Sequence, residues 1–392
     1  MSAATGARGR TADARRWIVV AGVVVAILVV SAALILFAGA DPLTGLRGLV
    51  EGVSSSPYRV GELLVGAVPI AIIALTLIPA LRAGVFSVGA EGQVTIGAIL
   101  ATAAILGLRG WLGEGAPSVL FWIAGAAAGA AGGALYALLP ALLAVRWQVN
   151  EILSTLLLNY VAVGILGLSL RTWLASGEQT ATPQSERLPE AAAIPDLIPG
   201  TRAHWGVVLV LVVAVLLAWW QRTSGSARLT VFASRPKLAS RLGTTRARTI
   251  YGTMLVSGAG AGIVGWIQVA GVGERLLGSV AGGVGFSGIA VALLGALLPA
   301  GIVVAALFFS ALAAGAVGMQ SATGTVPSSI AEVIKGVLVL GVACIAAVQR
   351  RPAAVVAPAG EPAASDEPPV AGPGAGAPVE ETAGLGTDAG EP

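Results

Sequence analysis

The chain has 392 residues, 56% of them hydrophobic and only 11% charged, with a mean hydropathy of +0.87. Soluble domains carry about 25% charged residues, so a water-soluble enzyme is excluded. Lys+Arg number 23 against 20 Asp+Glu, a formal charge of +3, and no nucleic-acid partner is expected. A single Cys (Cys344) and a single His (His204) leave no disulfide framework, thiolate zinc site or histidine metal cluster. Cys344 reads as a small apolar packing residue and His204 as a solvated loop residue.

In chain order, uncharged runs cover residues 17–37, 63–81, 92–108, 115–145, 152–170, 203–221, 249–273 and 276–331, and a final run surrounds Glu332 and Lys335 and ends at Gln349. A helix crosses a bilayer with about 20 apolar residues. Lipid offers backbone groups no water, so spanning segments are helices or closed barrels, and continuous rather than alternating runs select helices. The expected fold is an all-α polytopic bundle of about ten crossings, including short or re-entrant glycine-interrupted helices. The run 276–331 is long enough for more than one crossing. The run 17–37 exceeds the 7–15 apolar residues of a signal peptide and reads as a retained first span.

Basic residues mark the cytoplasmic side. Arg8, Arg10, Arg15 and Arg16 put the arm 1–16 there. Alternation then places Arg82, Arg146 and the loop 221–249 on the same side. That loop holds Arg222, Arg228, Arg235, Lys237, Arg241, Arg246 and Arg248 and no acid. The loop 175–204, with Glu178, Glu186, Glu190 and Asp196, falls outside. The membrane domain spans 17–349, with both termini cytoplasmic. Residues 350–392 form a different polymer: from 352 onward there are eight prolines, seven acids and no base, the composition of a disordered cytoplasmic tail.

Gly125, Gly129 and Gly133 recur every four residues, as do Gly258 and Gly262. Small residues at that spacing let helix backbones approach closely. The segment 84–93 sets Phe86, Glu91 and Gln93 among Gly84, Gly89 and Gly92. Broken backbone at membrane depth is tolerated only against protein or a watery cavity, and an acid there is costly. Glu91 therefore reads either as a pathway residue or as an interfacial first-turn acid. In the segment 149–160, Asn150 or Ser154 can cap a helix. Glu151, Thr155 and Asn159 share one face of that helix and form a polar stripe suited to a hydroxylated solute. The segment 282–295 has glycines at 282, 283, 285 and 288 and reads as a short or re-entrant helix. Its Phe286-Ser287 pair echoes Phe86-Ser87, as in a duplicated transporter. Glu332 and Lys335 can pair on the last helix. In the basic loop, Ser234 is placed to cap a helix that Pro236 begins and Gly243 ends. Leu238 and Leu242 share a face between Lys237 and Arg241, the pattern of a short helix docking in a partner's groove. No G-x-x-x-x-G-K-[ST] loop occurs, so any nucleotide site lies on another chain. No catalytic residue, metal site or cofactor is expected.

The segments 84–98, 149–162 and 285–295 resemble the inner-membrane permeases of ABC importers, in the branch handling simple sugars and nucleosides, related to the branched-chain amino acid and ribose permeases. The resemblance covers residues 60–348. It implies alternating access for a nucleoside or simple sugar in the cell membrane. It implies a cytoplasmic ABC ATPase, a second permease subunit and an extracytoplasmic solute-binding lipoprotein as partners. The solute path would fall to Phe86, Glu91, Gln93, Asn150, Glu151, Thr155, Asn159 and Phe286. Coupling to the ATPase would fall to Ser234, Lys237, Leu238, Arg241, Leu242 and Gly243. The family pattern at that helix reads Asn, an Ala pair, then Gly-Ile, where this chain has Ser234, Ala239-Ser240 and Gly243-Thr244. Asn150-Glu151 and Glu91 agree with the nucleoside branch. The rival readings are an ion-driven secondary transporter, which needs buried charge pairs along the path, and a membrane-embedded enzyme, which needs clustered acids or histidines.

Overall fold

The computed structural model describes residues 29–177, 182–241 and 243–324, together with single positions between 22 and 28 and between 330 and 344. The basic arm, the acidic tail, Leu242 and the Glu332/Lys335 pair lie outside the described residues.

The described chain is an all-α helix bundle. In order come α1 (Val29–Phe37), α2 (Pro42–Ser54), α3 (Pro57–Thr76), α4 (Ile78–Arg82), α5 (Ala90–Leu112), α6 (Ser118–Arg146), α7 (Glu151–Arg171), α8 (Gly206–Trp220), α9 (Ser224–Ser234), α10 (Pro236–Arg241), α11 (Arg246–Ile267), α12 (Val284–Leu294) and α13 (Pro299–Thr323). Local chemistry sets many of the starts. Asp41 and Ser56 cap α2 and α3 ahead of prolines in the first turn, Asn150 caps α7 and Thr245 caps α11.

Among the described residues six helices are long and apolar enough to cross a membrane, or up to eight if each bent pair is one span. The expectation of about ten covers the whole chain, part of which lies outside the described residues. The apolar run 276–331 yields one crossing, α13, and the 11-residue α12, which is too short to cross. The runs 17–37 and 332–349 are described only in part.

α3 is buried almost throughout from Val65 to Leu75 and forms the centre of the bundle. Around it the helices meet along seams of small residues. A Cβ added at Gly262 would overlap the carbonyl of Gly129, and one at Gly133 the carbonyl of Gly258, so α6 and α11 touch backbone to backbone. α5 joins this seam through Gly97 and Gly262, and α2 meets α13 through Gly48, Gly52 and Gly318. With no hydrophobic drive between helices in lipid, such close approach supplies the packing.

The two ends differ. At one, Arg82 donates to Ser226 at 2.6 Å, and Ala83, Val85, Ile250 and Met254 bury against Leu229 and Phe232 of α9. At the other, the largely irregular residues 172–177 and 182–205 fold over the helix ends. Its ion pairs are Arg109–Glu186 and Arg187–Glu274, with Arg202–Glu62 at 3.6 Å. Ser185 and Leu188 donate backbone hydrogen bonds to Leu276 and Glu274.

Three expectations change here. His204 is buried, not solvated: Nδ1 accepts from the Gly206 amide at 3.0 Å, and the ring lies over Gly271. Burial pushes its pKa below the usual 6.5, with Asp196 opposing and Arg202 reinforcing the shift. Cys344 is exposed rather than packed among the described residues. Gln268–Gly273, expected as plain helix, forms a π-helical turn continuing α11.

A candidate transport site at the joint of two broken helices

α4 ends at Arg82, and α5 does not begin until Ala90. The intervening segment turns at Gly84, whose φ of +73° suits glycine. The segment is held by α7. Thr155 Oγ1 accepts from the Val88 amide at 3.2 Å while donating to the Glu151 carbonyl at 2.7 Å. Asn159 Oδ1 accepts from the Gly92 amide at 2.9 Å, and its Nδ2 donates to the Val88 carbonyl, also at 2.9 Å. One amide side chain thus satisfies a donor and an acceptor that the helix break would orphan. Asn159 stands about 12 Å along α7 from its first residue, at about 1.5 Å per residue. The break therefore lies within the depth of the bundle rather than at its end.

Glu91, in the first turn of α5, reaches the other broken segment. Oε1 accepts from the Gly283 amide at 2.7 Å and Oε2 from the Gly285 amide at 2.8 Å. These are the first amides of α12, whose cap Gly283 has φ +83°. The carboxylate is a cap supplied from 192 residues away, and it sits where two helix N-termini converge, the favourable place for an anion. A Cβ at Gly285 would overlap the Glu91 backbone, so that glycine is required for the contact.

Gln93 is 2% exposed, and its Oε1 has no hydrogen-bond partner among the described residues. Phe86 and Phe286, one on each broken segment, are 39% and 48% exposed. Asn150 is spent as the α7 cap, accepting from Ile152 at 2.9 Å and Leu153 at 3.3 Å. Glu151 is half-buried in the first turn of α7. Glu91, Gln93, Thr155 and Asn159 therefore gather around one joint, with the two phenylalanines flanking it and Asn150 and Glu151 nearer the end of the bundle. Sequence reasoning named both glycine segments but missed that the Gly283 and Gly285 amides are the partners of Glu91. No local spacing signals a contact across 192 residues.

Residues 59–343 match the family described as branched-chain amino acid transport system / permease component. The chain belongs to this permease family. It is 31% identical to the glucose ABC transporter permease protein TsgB13 of Haloferax volcanii, over 81% of this chain and 84% of that one. It is 29% identical to the guanosine ABC transporter permease protein NupP of Bacillus subtilis, over 81% and 90%. It is 25% identical to the nucleoside ABC transporter permease protein NupB of Lactococcus lactis, over 78% and 84%. No solved structure matches the permease significantly.

The segment 234–243, expected to couple to an ATPase, is built differently from the expectation in one respect. Ser234 does not cap α10. It is the last residue of α9, and its hydroxyl donates back to the Thr230 carbonyl at 3.0 Å. Arg235, with φ −141° and ψ 73°, makes the break between the helices. The other end is as expected. Gly243 has φ +77°, its amide donates to Ser240 and that of Thr244 to Ala239, the paired bonds of a glycine C-cap. Leu238 is 42% exposed and Arg241 is exposed. Lys237 lies in α10.

Proposed function

We propose that this permease is the membrane subunit of an ATP-driven importer, carrying a nucleoside or simple sugar by alternating access. The observation that carries the reading is the polar joint at Glu91. In a family of permeases, two helices broken at membrane depth and tied by one carboxylate give a wall that has two arrangements available and exposes few unpaired backbone groups in either. Glu91, Thr155 and Asn159 hold that wall. Gln93 holds a buried, unused acceptor beside the joint, and Phe86 and Phe286 offer aromatic faces to a base or sugar ring. Asn150 and Glu151 border the way out at the basic end. The names of the similar permeases, guanosine, nucleoside and glucose, support the two solute classes.

The basic end faces the cytoplasm by its arginines, as do both termini. There Ser234, Lys237, Leu238, Arg241, Leu242 and Gly243 contact a separate ATPase, so that α10 transmits its closure to α9 and α11. A second permease subunit, identical or related, completes the path. A solute-binding lipoprotein delivers cargo to the end covered by 172–205. An ion-driven mechanism is less well supported: the three ion pairs among the described residues all lie at the 172–205 end, away from the joint.

The test is uptake of labelled guanosine, adenosine, cytidine, glucose and ribose in cells with the chain deleted and restored. Chain-dependent entry of a nucleoside or sugar is expected. Unchanged entry of every one of them overturns the proposal.

A further inference from the structure

At the basic end α8 stops at Trp220 and the chain turns by 72° into α9. α9 is pinned there by the hydrogen bond from Arg82 to Ser226 and by Leu229 and Phe232. The turn opens a groove of about 450 Å³ between α8, α9 and α11. Its floor is apolar and includes Leu217 and Val256. Its rim carries Trp220, Thr244, Arg228 and Arg248.

Both arginines are exposed. Neither has an acidic partner among the described residues, and the whole stretch 221–249 contains no acid. Two uncompensated guanidiniums at the mouth of an apolar groove, beside a tryptophan where a crossing helix ends, match one class of ligand. A free anion has no use for the apolar floor, and a zwitterionic lipid brings its own headgroup cation against the two arginines. An anionic phospholipid uses both. Its acyl chain continues the apolar floor into the bilayer, and its phosphate accepts the planar guanidinium donors. Tryptophan is the residue that sits at the headgroup level.

We propose that this groove holds one anionic phospholipid, with its acyl chain against Leu217 and Val256 and its phosphate between Arg228 and Arg248. The site is independent of which solute the permease carries. It lies against the start of α9, so its occupant bears on the helix that leads into α10, the proposed coupling helix.

The experiment is native mass spectrometry of the purified full chain, titrated with dioleoyl phosphatidylglycerol or dioleoyl phosphatidylcholine. The wild-type chain is expected to retain one phosphatidylglycerol in preference to phosphatidylcholine. Arg228→Gln with Arg248→Gln should weaken that binding by more than about tenfold, since each arginine near an anionic headgroup contributes about fivefold. Arg222→Gln with Arg235→Gln removes equal charge from the same loop and should change it by less than about twofold. Arg228→Lys with Arg248→Lys, which keeps the charge, should restore most of it. Equal retention of both lipids, or equal weakening by the two glutamine pairs, overturns the proposal. So does displacement of the lipid by millimolar inorganic phosphate, which would make this a free-anion site, or its loss when the ATPase is added, which would make the groove a protein interface.

Discussion

The α6–α11 seam and the joint at Glu91 hold the same bundle together by opposite means. The seam contains almost no side chain: Gly129, Gly133, Gly258 and Gly262 put two backbones in direct contact. The joint is nearly all polar: one carboxylate and one carboxamide together take three backbone amides and one carbonyl at two helix breaks. A seam of continuous helices has its hydrogen bonds already made and gains only by closeness, so it suits a rigid body. A joint between broken helices has backbone groups to satisfy, and side chains that satisfy them can let go. On the proposed reading, the seam belongs to the frame of the permease and the joint to its moving wall.

Substitutions at Gly262, Glu91, Asn159 and His204, each with its own readout, break or sharpen that contrast. The largest effect belongs to the seam. Gly262→Leu forces a side chain into the Gly129 carbonyl, which cannot yield, and should cost more than about 4 kcal/mol. Loss of the monodisperse peak on size exclusion of detergent-extracted protein is expected, whereas Gly107→Ala, with nothing within 4 Å of the added Cβ, should leave that peak intact. Next comes the joint. Glu91→Ala strands two amides at about 1–3 kcal/mol each and should reduce uptake more than tenfold while the protein still assembles. Glu91→Gln keeps one acceptor oxygen and should fall between wild type and alanine. A Glu91→Ala protein that fails to assemble would put Glu91 in the frame instead.

Smaller still is Asn159→Leu. Interhelical side-chain bonds in membranes are worth about 0.6 kcal/mol on average and up to about 1.7, so a thermal shift of a few degrees with impaired uptake is expected. The smallest effect is at His204, away from both regions. Its pKa is lowered in the fold, so the unfolded chain binds the proton first as pH falls. Stability from this residue is complete above the unfolded value of about 6.5 and declines below it. His204→Gln should remove that acid-side decline in melting temperature measured between pH 7 and pH 5. An unchanged slope would show that His204 does not cause it.

What the sequence made legible was local. Uncharged runs located the crossings, four-residue glycine spacing located the seam, and the glycines at 282–288 located a short helix that α12 realises. Gly243 was readable as a helix end because only glycine takes φ +77° without strain. The pairing of Glu91 with Gly283 and Gly285 was not legible, because it joins segments almost two hundred residues apart. Ser234 misled because a serine before a proline has the composition of an N-cap, but Arg235 breaks the chain first and the hydroxyl serves its own helix. His204 misled because a polar residue in a polar loop usually faces water, whereas here the loop folds back over the π-helical turn.

The central claim is that this chain supplies the passage and another protein supplies the energy. It is tested most directly in proteoliposomes loaded with ATP, by following labelled nucleoside or sugar with the chain alone and with its ATPase, binding protein and any second permease. The account predicts accumulation against a gradient only in the complete assembly. Accumulation by the purified chain alone would contradict it.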